Sequence, residues 1–225
     1  MILPVRDTVA KSVERSQTFV SPIHLYGTEI FFDVHRNGEN VGFHRVRFDG
    51  GGEALTVESN FQLRIEVLFV PVFRYAYRSE GRWRDGRLES LHVTLDDDGK
   101  RRALKAIRVG DIMRIDQGDR RYTARAPLYP TNHWNAGVLV QDRVLNTLTG
   151  RLNAVRIEPV ARETVTTERG TIPATRYAYS GDLETEVWYD DAGRWVKMRF
   201  AGRDGSTIEY VCRRCQGGDH AQATK

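Results

Sequence analysis

The sequence predicts an all-β fold, an antiparallel barrel, half-barrel or sandwich of about a dozen strands with one short helix. Three observations support this class. Turn dipeptides recur at hairpin spacing, the stretches between them alternate apolar and polar residues, and strands do not alternate with long helical patterns. At 225 residues, the chain is long enough for one large β domain.

The composition is that of a globular chain, with 40% hydrophobic and 28% charged residues. No run approaches the ~20 apolar residues of a membrane-spanning helix. The formal net charge is +4, but the arginines lie along the strands beside acidic residues, as Arg82 does near Glu80. A nucleic-acid surface would concentrate the basic residues on one face, so no nucleic-acid partner is predicted.

We expect a single antiparallel β domain over residues 29–213. Residues 1–28 would form an N-terminal leader or linker, with a short amphipathic helix as an alternative because valines recur there at helical spacing. This segment carries several charges and no apolar core region, so it lacks the pattern of a secretory signal peptide. Residues 214–225 are expected to be a disordered polar tail.

A first run of about eight strands is predicted before residue 120, each near the typical length of ~5–10 residues. Asn37-Gly38, Asp85-Gly86 and Asp98-Gly99 provide the hairpin turns. The predicted strands are Glu29–Arg36, Asn40–Phe48, Phe61–Val67, Phe73–Arg78, Arg87–Leu95, Lys100–Val109 and two short strands around Gly110 and Gly118.

The β pattern then stops at Ala126–Pro130, where two prolines bracket a loop. Ala136–Val144 can form the short helix, with Asn135 as its N-cap. This segment is expected to connect two runs of strands and to plug one end of the sheet.

A second run of about five strands follows Gly150, of typical strand length. Trp195 is opposite in phase to Val196, Met198 and Phe200, which predicts different faces for the aromatic and aliphatic residues of that strand. The predicted strands are Leu152–Glu158, a bend at Pro159 and then Thr164–Glu168, Thr171–Ser180, Leu183–Tyr189, Arg194–Phe200 and Ser206–Cys212.

The candidate binding residues are His133, Trp134 and Asn135 in the connecting segment. A functional interpretation gives His133 a proton-transfer or ligand-binding role beside an amide and an apolar wall. A structural interpretation makes Asn135 a helix cap, Trp134 a plug against the sheet and His133 a hydrogen-bonded residue that orients the loop. The second is favoured because no nucleophile or catalytic acid adjoins them in sequence.

The strands carry many aromatic residues, among them the candidates Tyr75, Tyr77 and Trp188. Such side chains could line a concave sheet that holds a hydrophobic small molecule or lipid, or they could simply fill the core. His35, His44 and His92 also lie on predicted strands and are expected at surface or edge positions.

The only cysteines, Cys212 and Cys215, form a C-x-x-C pair at the end of the last strand. A local disulfide or two idle thiols are favoured over redox chemistry, and redox chemistry over a metal site, because a second pair of ligands is missing.

No phosphate-binding loop, nucleophile elbow or zinc-helix motif occurs, so neither a cofactor nor a metal is predicted. The favoured function is non-enzymatic binding of a hydrophobic ligand or an envelope partner in the concavity of the sheet. The alternative is an enzyme in which His133 works in a small pocket with Asn135 and a strand carboxylate, Asp33 or Asp190.

Several short motifs occur in order along the chain. They are Phe32–Gly38 followed by Val41–His44, Phe73–Tyr77, His133–Asn135, the Leu145–Gly150 turn, and Trp188–Asp190 followed by Gly193. In this order they resemble a bacterial family of unknown function, domain of unknown function 6134, from about Glu29 to Val211.

The resemblance implies an exported, periplasmic protein, because members are typically exported and are similar to another exported family, domain of unknown function 3108. It also implies a fold like the lipocalin barrels or the half-barrels of lipoprotein carriers. It implies no established activity and no catalytic residues. Since the N-terminus lacks a signal-peptide pattern, a cytoplasmic location is the alternative.

Overall fold

The structure, a computed structural model, describes residues 19–51, 53–67 and 70–217. The alternative N-terminal helix and the end of the expected tail lie outside these residues. Within the described ranges, fifteen strands form one sheet in the order β8-β7-β6-β5-β4-β3-β2-β1-β15-β14-β13-β12-β11-β10-β9. All neighbours are antiparallel except β9 and β10, which are parallel. The predicted all-β class is therefore confirmed.

The elements are bounded as follows. They are α1 Pro22–Tyr26, β1 Glu29–Arg36, β2 Glu39–Gly51, β3 Ala54–Val67, β4 Val70–Arg84, β5 Arg87–Asp97, β6 Lys100–Val109, β7 Ile112–Asp116, β8 Arg121–Arg125, β9 Tyr129–Pro130, a 3₁₀ helix Ala136–Val140, β10 Arg143–Asn146, β11 Arg151–Thr167, β12 Gly170–Gly181, β13 Thr185–Asp190, β14 Trp195–Ala201 and β15 Thr207–Arg214.

The sheet is curled, because its two edge strands are consecutive in the chain. Arg125 ends β8 and Tyr129 begins β9, and four residues of extended chain span at most about 14 Å. The Tyr122 hydroxyl donates to the Gly150 carbonyl at 2.6 Å, which joins β8 to the turn before β11. The edges thus approach each other without pairing, so the sheet is barrel-like but not closed.

The concave face of the sheet carries the core. Phe32, His44, Phe61, Tyr77 and Leu95 lie side by side on β1 to β5 in register. All five are buried. The period-two alternation that predicts half-buried strands therefore assigns these side chains to the inner face.

The connecting segment, residues 126–150, differs in part from the prediction. The Asn135 side chain accepts a hydrogen bond from Gly137 N at 2.9 Å, so its N-cap role is confirmed. The helix is a 3₁₀ helix that ends at Val140, and Val144 belongs to β10. Sequence reasoning missed β9 and β10 because both are too short for a recognisable period.

Two β-bulges explain why strands β11 and β14 differ from the predicted strands. The predicted strands on either side of Pro159 form one strand, β11, with a register shift between Pro159 and Ala161. Where β13 pairs with β14, Trp188 lies opposite Lys197 and Tyr189 opposite Trp195. The β14 strand therefore carries one extra residue there, which changes the alternation of its side chains.

Both ends of the described chain pack against the sheet. Tyr26 of α1 is 1% exposed, and Cys215 and Gln216 are also buried. Gly217 N donates to the Leu25 carbonyl at 2.8 Å, which joins the two ends. The packed unit thus extends on both sides of the expected range 29–213.

Candidate ligand-binding cavity

A cavity of about 760 Å³ opens within the curl of the sheet. Its lining is mostly apolar and comes from strands of both runs and from the connecting segment. We call the buried residues His44, Tyr77 and His133, together with the half-buried Asn132, its buried end. Its mouth is formed by more exposed residues, Arg36, Val72, Arg203 and Asp204.

Buried tyrosine hydroxyls hold the backbone that brings His133 into the cavity. Tyr189 donates to the His133 carbonyl at 2.6 Å. Tyr26 donates to the Trp134 carbonyl at 3.0 Å and accepts from Trp195 N at 2.8 Å. The short helix α1 and strands β13 and β14 therefore fix the connecting segment at this point.

Two buried histidines line the cavity and both pack against Trp195, with ring centroids 5.6 Å away in each case. His44 Nε2 lies 2.7 Å from Ser59 Oγ, and His133 Nδ1 lies 3.4 Å from the Tyr179 hydroxyl. Among the described residues, the other ring nitrogen of each histidine has no hydrogen-bond partner. Nδ1 of His44 and Nε2 of His133 are thus the unpartnered nitrogens of the two rings.

Burial keeps both histidines neutral at pH 7. Desolvation lowers the pKa of His133 to about 4. Desolvation, with a smaller contribution from His133, lowers the pKa of His44 to about 3. Desolvation also raises the pKa of Tyr75, which lines the cavity, to about 12. The buried end therefore offers hydrogen bonds but no charge.

A polar chain continues from these histidines across the inner face. Tyr77 donates to Asn132 Oδ1 at 3.2 Å, and Asn132 Nδ2 donates to Ser79 Oγ at 3.4 Å. Ser79 lies opposite Ser59 on the neighbouring strand. These two small side chains on the inner face leave room for the connecting segment above them.

Charged groups of the cavity occur at its mouth. Arg36 and Asp204 form an ion pair at 2.6 Å, and Arg203 pairs with Asp97 at 2.9 Å. The Arg36–Asp204 pair is exposed on both sides and contributes little to stability because water screens it. In the other pair Asp97 is buried, and Arg102 also pairs with it. The two pairs place polar, hydrated groups around an apolar opening.

Three of the six sequence candidates, His133, Tyr75 and Tyr77, line the cavity. Trp134 packs on Trp83 with its ring edge on, at 5.0 Å between centroids. Together with Asn135, it borders a separate groove of about 1050 Å³.

The sixth candidate, Trp188, lies away from the cavity. Its Nε1 donates to Glu163 at 2.8 Å, and Lys197 lies over its ring at 5.1 Å. Charged side chains of neighbouring strands cover Trp188. It is therefore buried although it does not line the cavity.

Sequence reasoning did not choose His44, Trp195 or Tyr210 as candidate binding residues, although all three line the cavity. The expected surface or edge position of His44 is wrong, because its side chain is 8% exposed. The signal was present, since His44 shares its phase on β2 with the buried residues Val46 and Phe48. The alternation predicts Trp195 on the face opposite Met198 and Phe200, yet all three line the cavity because of the β14 bulge.

The enzyme hypothesis needs a partner for His133. Asp33 pairs with Arg213, and Asp190 pairs with Arg194, both at 2.6 Å. Neither carboxylate lines the cavity. Within the described part of the chain, the hydrogen bond of the His133 ring goes only to the tyrosine hydroxyl.

The cysteine pair lies outside the cavity. Cys212 and Cys215 are joined by a disulfide with a Cα–Cα distance of 5.8 Å. The Glu168 carboxylate adjoins it, accepting from Cys215 N at 3.3 Å. The bridge ties the end of β15 to the last described residues.

The protein is therefore a barrel-like β protein, in which a curled, incompletely closed and mostly antiparallel sheet surrounds an apolar cavity. The chain belongs to the family described as domain of unknown function (DUF6134), which matches residues 32–213. The predicted resemblance to this family is therefore confirmed.

A solved structure shares the fold. It is the crystal structure of a beta-barrel-like protein of domain of unknown function DUF1849 from Brucella abortus, with 12% sequence identity and a TM-score of 0.59. The similarity covers 85% of this chain and 97% of that one. No curated protein matches the chain. Within the described ranges, no helix has the length and apolar character needed to cross a membrane.

Proposed function

We propose that this protein binds a hydrophobic small molecule or lipid in the cavity of its curled sheet and does not transform it. The observation that carries the proposal is the cavity itself. Its volume of about 760 Å³ falls within the range of roughly 300–1,000 Å³ typical of ligand pockets. Its lining also has the expected character, apolar walls with a few polar groups that converge at one end.

The chemistry of the buried end supports binding over catalysis. A Ser–His contact exists between Ser59 and His44, but Ser59 is 0% exposed and does not line the cavity. A substrate in the cavity would not meet that hydroxyl. Tyr179, the neighbour of His133, is a poor proton donor or acceptor at neutral pH because burial raises its pKa well above the usual value.

The test is to fill the cavity and measure binding of a neutral apolar probe, N-phenyl-1-naphthylamine, by its fluorescence. Met198 is half-buried on the cavity wall. Met198→Trp adds volume there and should weaken probe binding by at least about tenfold. The matched control, Met198→Leu, keeps the volume and should bind within about threefold of the original protein.

Thermal unfolding of both variants accompanies the titrations, so that a loss of binding is compared between equally folded proteins. If the original protein fails to bind the probe, or if Met198→Trp binds it as well as Met198→Leu, the proposal is wrong.

A further inference from the structure

We infer that the bound molecule is an uncharged amphiphile carrying a hydroxyl group, which enters with that group towards the buried end and hydrogen-bonds the free ring nitrogen of His133. This inference rests on the proposed function and adds the chemical class and orientation of the ligand.

One ring nitrogen of His133 makes no hydrogen bond to the described residues. His133 is 2% exposed, its ring lines the cavity, and its Nε2 has no partner among the described residues. A buried polar atom without a hydrogen bond costs about 1–3 kcal/mol. Nε2 itself is fully buried, so a ligand group bonds it only after a small movement of the His133 ring towards the cavity. Such a bond would recover that cost, which a purely apolar ligand would not.

The buried end of the cavity favours a ligand group without charge. The groups around the buried end, from His44 and Tyr77 to Asn132, are neutral hydrogen-bonding side chains. The charged residues of the lining, Arg36, Arg203 and Asp204, lie at the mouth. A carboxylate or ammonium group at the buried end would lose its hydration with no opposite charge to replace it. An uncharged group is therefore favoured there.

The two tautomers open to His133 favour a hydroxyl group over an ether or a ketone. If Tyr179 donates to His133 Nδ1, then Nε2 carries the proton and donates; in the other tautomer Nε2 accepts. A hydroxyl group can accept or donate and therefore fits both tautomers, whereas an ether or ketone fits only one. Asn132 and Tyr77 add further polar atoms at the same end of the cavity.

The experiment compares three ligands of equal chain length, dodecane, 1-dodecanol and dodecanoate, by displacement of N-phenyl-1-naphthylamine at about pH 8. His133→Phe keeps an aromatic ring and removes both ring nitrogens. We expect this substitution to weaken 1-dodecanol binding about tenfold, the value of one net hydrogen bond, and to leave dodecane binding unchanged or slightly stronger. Dodecanoate should bind more weakly than 1-dodecanol to the original protein.

The control variant is His92→Phe, which changes an exposed histidine and should leave all three affinities unchanged. An equal effect of His133→Phe on dodecane and 1-dodecanol would overturn the inference, because Nε2 would then have another partner, such as water. Dodecanoate binding at least as tight as 1-dodecanol would also overturn it.

The comparison among ligands on the original protein needs no variant, so it holds even if His133→Phe fails to fold. Failure of the underlying proposal looks different, because then none of the three ligands displaces the probe.

Discussion

At the scale of single residues, buried tyrosine hydroxyls hold the connecting segment in place. Tyr26 and Tyr189 use their hydroxyls to hold the backbone at His133 and Trp134. A buried hydroxyl is usually hydrogen-bonded because an unpaired one is costly. These two tyrosines meet that requirement while aiming the His133 ring at the cavity.

The buried histidines predict a dependence of stability on pH. In the unfolded chain, histidine binds a proton below a pKa near 6.5, whereas His133 in the folded chain does so only near a pKa of about 4. Between these values the unfolded state holds more protons, so the free energy of unfolding falls as the pH is lowered from about 6.5 to 4. His133 alone contributes roughly 3 kcal/mol to this loss.

Urea denaturation at several pH values from about 7 to 4.5 measures this slope. His133→Phe should make it shallower, whereas His92→Gln, at an exposed position, should leave it unchanged. Identical slopes for the original protein and His133→Phe would contradict the assignment of a neutral, buried His133.

The candidate site shows what single residues could and could not reveal from sequence. The group at residues 133–135 stood out because it interrupts the β pattern, and His133 does line the cavity. His44 could have been found from its phase with Val46, which is buried on the same strand. Trp195 could not, because the one-residue bulge that turns it inward leaves no mark in the alternation of β14.

At the scale of the elements, the close approach of β2 and β3 depends on Gly42. A Cβ atom at this position would lie 1.9 Å from the Gln62 carbonyl oxygen, which is main chain and cannot rotate away. The register between β1 and β2 also shifts between Val34 and His35, beside Gly42. A glycine in the interior of a strand commonly marks such a close approach.

Gly42→Ala should therefore lower the free energy of unfolding by more than about 2 kcal/mol, because the two strands must move apart. Gly51 lies on the same strand, and a Cβ atom there would meet nothing within 4 Å. Gly51→Ala is the matched control and should change the free energy of unfolding by less than about 0.5 kcal/mol. Urea denaturation of both variants gives the comparison, and equal stabilities would refute the assigned close approach.

The strand pattern was the most predictable part of the fold. The ends of β1 and β6 coincide with the prediction, because Asn-Gly, Asp-Gly and apolar alternation are local signals. The two-residue strand β9 and the four-residue strand β10 were not predictable, since they form only when distant segments meet. The bend predicted at Pro159 is a bulge within one strand, which has the same local sequence pattern as a bend.

At the scale of the whole molecule, the order of strands produces the cavity. Strands β2 to β8 lie on one side of β1 and strands β15 to β9 on the other, and the short link from β8 to β9 brings the two far edges together. The connecting segment then covers one end of the curl with Trp134 and Val138, both buried. The other end stays open at the mouth.

Sequence patterns predict the all-β class, but they do not show how the sheet curls or closes. Barrel, half-barrel and sandwich share the same alternation, and they differ in which distant strands become neighbours. The shared fold with the Brucella abortus structure at 12% identity shows that the arrangement tolerates a very different set of side chains. The cavity, in contrast, depends on the particular aromatic residues that line it, such as Phe61 and Tyr210.

The most direct test of the account is a crystal structure of the protein with 12-bromo-1-dodecanol, located by the anomalous scattering of bromine. We predict a single strong bromine peak inside the cavity, displaced towards the mouth near Val72, with the hydroxyl group within hydrogen-bond distance of the His133 ring. Bromine peaks only on the outer surface, or an empty cavity in a crystal saturated with the compound, would contradict the claim that this cavity is a binding site for an apolar ligand.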